Sequence, residues 1–129
     1  MNKRIVNEYI PIAIEALNSN RCHIREKDSN VIAGTYRSAI SSFGAAITMG
    51  SFKSAVAFFC DNGSSTINRS ELMRAIYFIV HGKEWKTAKE ICTEIIAITD
   101  ESKLNEEKEA FINASIALKL AMNAFTLKK

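Results

Sequence analysis

The chain has 129 residues, 47% of them hydrophobic and 24% charged, which suits one domain with one core and argues against wholesale disorder. Five glycines and a single proline leave little turn material for a sandwich of short strands, and no apolar run exceeds six residues, where a membrane span needs roughly 18. The net charge of +3, from 17 basic and 14 acidic residues, mixes both signs and is by itself a weak pointer to nucleic acid.

The first segment, residues 3–20, carries Val6, Tyr9, Ile10, Ala13, Ala16 and Leu17 at the three- and four-residue spacing of a helix face. Pro11 falls inside it, so a kink or a start is expected there. Glu8, Pro11 and Glu15 interrupt any apolar signal core, and secretion is not indicated. Residues 21–30 form a charged connection ending in Asp28, Ser29 and Asn30, all good N-cap types. A second helix is expected from Val31 to Met49, with Ile32, Tyr36, Ala39, Ile40, Phe43, Ala46 and Ile47 on its face. Gly44 sits in mid-helix at a cost of about 1 kcal/mol against alanine, so close packing against it is expected. Gly50 suits a left-handed C-terminal cap.

Ser51 can cap a short third helix with Phe52, Ala55, Val56 and Phe59 inward. Asp61 to Asn68, with Gly63 and three hydroxyl residues, reads as a loop. Asn68 and Glu71 have capping-box spacing and open a fourth helix with Leu72, Met73, Ile76, Ile79 and Val80, which Gly82 ends. A fifth helix is expected from about Glu84 to Thr99, with Trp85, Ala88, Ile91, Cys92 and Ile95 inward. The last, about 104–126, is capped by Ser102 or Asn105 and carries Phe111, Ala114, Leu118, Ala121, Met122 and Phe125. Its acidic start and basic end complement the helix dipole. The expected fold is all-α: a single compact bundle of about six helices spanning 1–129.

Cys22, Cys60 and Cys92 are odd in number and widely spaced. With His23 and His81 they complete no zinc spacing. Buried free thiols are expected for Cys60 and Cys92, and reduced cysteine suits the cytoplasm. There is no Walker A loop, no Gly-x-Gly-x-x-Gly and no Gly-x-Ser-x-Gly. His81, before Gly82, reads as a helix-end residue. Glu90 and Glu94 share a helix face without further metal ligands. No catalytic residue, metal or cofactor is assigned. A small enzyme is the weakest alternative, and it would need a closed pocket with His81, Cys92 and a carboxylate.

The cations are more informative. Residues 31–60 hold Arg37 and Lys53 and no acid, whereas residues 91–129 hold six acids against five bases. Arg21, Arg25 and Lys27 surround the first connection, and Arg69 and Arg74 flank the start of the fourth helix. Lys83, Lys86 and Lys89, three apart, are expected on one side of the fifth helix, where a stripe could track phosphates. The candidate phosphate contacts are Arg37, Lys53, Lys83, Lys86, Lys89, Arg21 and Arg25. The acidic turn Glu106 to Glu109 argues against an RNA contact by the last helix. Phe58 and Tyr77 fall off the main apolar faces and are expected either as core from a second side or as interface anchors.

The run from Tyr36-Arg37-Ser38-Ala39-Ile40-Ser41-Ser42-Phe43-Gly44-Ala45-Ala46-Ile47 through Gly50-Ser51-Phe52-Lys53-Ser54-Ala55-Val56-Ala57-Phe58-Phe59 resembles the small subunit of type III-B CRISPR (Cmr) effector complexes. The opening Lys3-Arg4-Ile5 and the stretch Ala117-Leu118-Lys119-Leu120-Ala121 are similar to that family's first and last helices. The resemblance implies a non-catalytic helical subunit that stacks as a minor filament beside a backbone of RNA-binding subunits. Its expected partners are that backbone subunit, the large subunit, further copies of itself, and guide and target RNA, in antiviral defence. The alternative from the residues alone is a helical protein-interaction module with no nucleic-acid role.

Overall fold

A computed structural model describes residues 1–61 and 68–128. Its elements run α1 (Lys3–Asn18), β1 (Val31–Ala33), α2 (Gly34–Met49), α3 (Phe52–Cys60), α4 (Arg69–Val80), α5 (Ala88–Ile96), α6 (Glu101–Ala121), a 3-10 turn (Met122–Ala124) and β2 (Thr126–Lys128). The fold is a mostly helical bundle of these six helices with one two-stranded parallel sheet. The expected loop at Asp61 to Asn68 lies, for residues 62–67, outside the described residues.

Helix α4 is the axle of the bundle. Glu71, Leu72, Met73 and every residue from Ala75 to Ile79 are buried, because α1, α2, α3, α5 and α6 all pack against it. A helix surrounded on all sides must be apolar around its whole circumference. Tyr77 is therefore core, only 2% exposed, and not an interface anchor. The expected capping box at Asn68 does not form, since no side-chain cap bond joins Asn68 to α4. Glu71 turns inward instead. It pairs with the Arg74 guanidinium at 2.9 and 3.0 Å and accepts the His23 N–H at 2.9 Å. These partners offset the cost of burying its charge.

The helix starts follow capping chemistry. The Asn2 side chain accepts from the Arg4 and Ile5 N–H groups, so α1 begins at Lys3 and passes through Pro11 without stopping there. Pro11 lies on the exposed side, where water can satisfy the Asn7 carbonyl that proline leaves without a donor. Ser51 caps α3 through the Ser54 N–H, as its sequence position suggests. Thr87 and Glu90 form the capping box of α5, which therefore starts at Ala88 and not Glu84. Asp100, not Ser102 or Asn105, caps α6 through the Ser102 and Lys103 N–H groups.

The largest departure from the expected elements is the sheet. Val31 to Ala33 pair in parallel register with Thr126 to Lys128, so α2 begins at Gly34 and α6 ends at Ala121. Two three-residue strands have little stability of their own. They persist because Ile32 is fully buried and because α6 delivers β2 beside it. The chain passes so closely here that a Cβ on Gly34 would lie 3.1 Å from the Lys128 carbonyl oxygen.

Other glycines also differ from expectation. Among the described residues a Cβ on Gly44 would meet nothing within 4 Å, so none of them packs closely against it. Gly50 caps α2 with φ −125° and not in the left-handed region. Gly82 has φ +63° and follows the C-cap His81, as a helix stop favours.

Candidate nucleic-acid interface

Most of the sequence-predicted cations are committed to the fold. Lys53 donates from Nζ to the Ile96 and Ile98 carbonyls at 2.9 and 2.7 Å, closing the end of α5 with a positive charge where the helix dipole is negative. Arg25 donates to the Leu17, Asn18 and Ser29 carbonyls, serving the end of α1 in the same way. Lys83 pairs with Glu15 at 2.8 Å. Lys86 pairs with Glu94 at 3.0 Å and lies over the Tyr77 ring. The lysine stripe is not a helix face, because α5 starts after Lys86. Lys83 has φ 68° in the turn, and of the three only Lys89 lies on α5, where it is exposed. Arg21 is exposed, and its carbonyl accepts from Arg74.

Arg37 is different. Its Nε is buried with no hydrogen-bond partner, and no carboxylate pairs with it among the described residues. It lines a recess with Gly34, Ser38, Ser41, Lys119 and Leu127. Lys119 reaches across from α6 and donates to the Ser41 hydroxyl at 2.5 Å; it too has no carboxylate partner among the described residues. Two cations and two hydroxyls thus converge on one concave surface. The guanidinium fork and the ammonium both suit phosphate oxygens.

The fold assembles this recess from two acid-free parts of the sequence. No acid occurs between Asp28 and Asp61, and none follows Glu109. Helix α2 and the second half of α6 come from these two stretches and pack together. The acidic turn that weighs against an RNA contact by α6 lies away from Lys119. Glu106 and Glu109 lie in the first half of a 21-residue helix, about 15–20 Å from Lys119 at 1.5 Å per residue. That exceeds a Debye length in physiological salt. Lys119, Ser38 and Ser41 were missed by motif reading. The signal that finds Lys119 is the acid-free tail after Glu109; Ser38 and Ser41 follow from their places beside Arg37 on α2.

Of the two candidate anchors only Phe58 is on the surface, at 59% exposure. The Arg69 guanidinium lies 4.3 Å from its ring centroid and also bonds the Phe58 and Asp61 carbonyls. An aromatic ring with a flat cation on it is a common centre for a protein contact.

The remaining polar chemistry is structural. His81 bonds Glu107 through Nε2 and stacks on Tyr77 with centroids 4.2 Å apart. That carboxylate raises the imidazole pKa above its ordinary value against the opposing effect of burial. Tyr77 donates to Glu94 at 2.8 Å. Cys22 is buried, while Cys60 and Cys92 are only half-buried and free, which corrects the expectation of full burial. The thiols of Cys60 and Cys92 meet across α3 and α5, and burial, reinforced by Cys92, pushes Cys60 up to about 12. Among the described residues no group of three or more His, Cys, Asp or Glu side chains is placed to hold a metal ion. No helix among them is long and apolar enough to cross a membrane.

Comparison with known proteins finds no matching family model, no matching curated protein and no matching solved structure.

Proposed function

We propose that this chain is a non-catalytic, cytoplasmic RNA-binding subunit of a type III-B CRISPR (Cmr) effector complex. It would stack along the complex and help hold guide and target RNA in antiviral defence. The observation that carries the RNA reading is the recess where Arg37 and Lys119, both without carboxylate partners among the described residues, converge beside Ser38 and Ser41. Phosphate contacts of this kind position the RNA without reading its sequence, which leaves target choice to base pairing with the guide. The resemblance in residues 36–59 supplies the assembly: a backbone subunit, a large subunit and further copies of this chain. Phe58 under Arg69 is the surface feature best suited to a protein contact.

The test is affinity purification of the tagged chain from its native cell at moderate salt, wild type beside an Arg37→Glu, Lys119→Glu variant. Co-purifying backbone and large subunits with short repeat-derived RNA are the expected result. The variant should retain the proteins and lose target RNA. Recovery of unrelated proteins without RNA overturns the reading in favour of a protein-interaction module.

A further inference from the structure

The cationic recess does not end at Lys119. Ser41 and Lys119 also open a second, apolar groove between α2 and α6, lined by Gly44, Ala45, Ile112 and Ile116. Its volume of about 300 Å³ is at the lower end of small-ligand pockets. From Ser41 to Thr48 it runs for two helical turns, about 10 Å. An anionic group on Arg37 and Lys119 would therefore carry its apolar remainder straight into this groove.

We infer that the groove takes the base of one unpaired RNA nucleotide whose phosphate is held by Arg37 and Lys119. This rests on the RNA reading above. Three observations support it. The polar end matches a phosphate and the apolar end matches a base face, and one nucleotide has both in that order. Gly44 weakens α2, yet among the described residues a Cβ there would meet nothing within 4 Å; no packing among them accounts for the glycine, and its absent side chain deepens the groove floor.

The third observation is the hydroxyl chemistry of the walls. Thr48 donates to the Gly44 carbonyl at 3.1 Å and Ser115 to the Ile112 carbonyl at 2.7 Å. Ser41 donates to the Arg37 carbonyl at 3.5 Å while accepting from Lys119. The Thr48 and Ser115 protons are directed at these carbonyls, so what the two hydroxyls offer a ligand is acceptor lone pairs. Acceptors favour the bases with an exocyclic amine, adenine, cytosine and guanine, over uracil, whose only base-edge donor is its ring N3–H. A paired base has its Watson–Crick edge occupied and is held in the stack, so the groove selects single-stranded RNA.

The experiment measures binding of the full chain at low salt to fluorescent oligo-adenosine, oligo-uridine and a fully paired RNA duplex. Wild type is compared with Gly44→Leu, Gly44→Ala and Arg37→Glu. Leucine is a good helix former at this half-buried position, and circular dichroism checks that the fold is kept. Oligo-adenosine is expected to bind tightest. Gly44→Leu should weaken it about tenfold, the scale of one seated base, with duplex binding and its salt slope unchanged. A 2-aminopurine in the oligo-adenosine should change fluorescence with wild type and not with Gly44→Leu. Equal oligo-adenosine affinity in wild type and Gly44→Leu, with Arg37→Glu still weakened, overturns the groove assignment and leaves the phosphate site standing. If wild type binds none of the three RNAs, or Arg37→Glu binds all of them like wild type, the RNA reading fails and the groove assignment with it.

Discussion

At the residue scale, His81 and Gly44 carry the clearest consequences. The Glu107 carboxylate bonded to His81 raises the imidazole above its ordinary 6.5, and the charges of Glu94 and Glu84 add to this. The folded state therefore binds a proton more tightly than the unfolded chain. The resulting stability is fully present below pH 6.5 and is lost as pH rises through the raised folded value. Thermal unfolding at pH 6 and pH 8.5 should show a lower Tm at the higher pH, and Glu107→Gln should shrink that difference. An undiminished difference would place the pH dependence elsewhere. Gly44→Ala adds a methyl group where it meets nothing and removes glycine's backbone entropy cost. It should stabilise the chain by about 0.5–1 kcal/mol, read as a rise in Tm of a few degrees. A fall in Tm would mean that something packs at Gly44 after all.

At the element scale, several helix ends depend on side chains distant in sequence. Lys53 on α3 closes α5 through two carbonyls, and Arg25 closes α1 through two more. Sequence pattern names these residues as free cations because it registers charge and not the carbonyl that charge will meet. Lys53→Met keeps most of the stem and deletes both bonds. It should cost about 1–2 kcal/mol, discounted for partial exposure, with faster amide exchange at the end of α5. Unchanged exchange there would show that the end of α5 is held by other contacts. The same lesson applies to the boundaries. Val31 to Ala33 have a helix-compatible pattern, but β2 offers them a partner, and burial of Ile32 decides the matter. The N-cap types Asp28 to Asn30 are bypassed for that reason.

At the scale of the whole molecule, the acids of α6 are confined to its first half, where Lys103 and Lys108 accompany them. The acids Glu101, Glu106, Glu107 and Glu109 lie in its first half, and Lys119, beside Arg37 from α2, lies in its second. Removing two phosphate contacts from single-stranded RNA should flatten the slope of log affinity against log salt by about 1.4, at 0.7 per contact. Titrating the Arg37→Glu, Lys119→Glu variant over a range of salt measures this. An unchanged slope would place the RNA on another face. Seven of the 17 basic residues are candidates on sequence grounds, and Arg37 alone of them lies in the recess. Its acid-free surroundings distinguished it in the sequence. Lys119 stayed hidden because averaging charge over residues 91–129 mixes the two halves of one helix that point to opposite ends of the bundle.

The amino-acid sequence by itself determined the helical class, the inward faces of α1, α2, α3 and α6, and the Ser51 cap of α3. These depend on neighbours three or four residues away, and the 3.6-residue period makes such neighbours readable. Only the tertiary structure decided that Tyr77 is core, that Lys53 and Arg25 close helices, that residues 31–33 form a strand and that Arg37 meets Lys119. Each of these depends on which distant segment arrives alongside, and that is settled by packing five helices around α4, which no local period encodes.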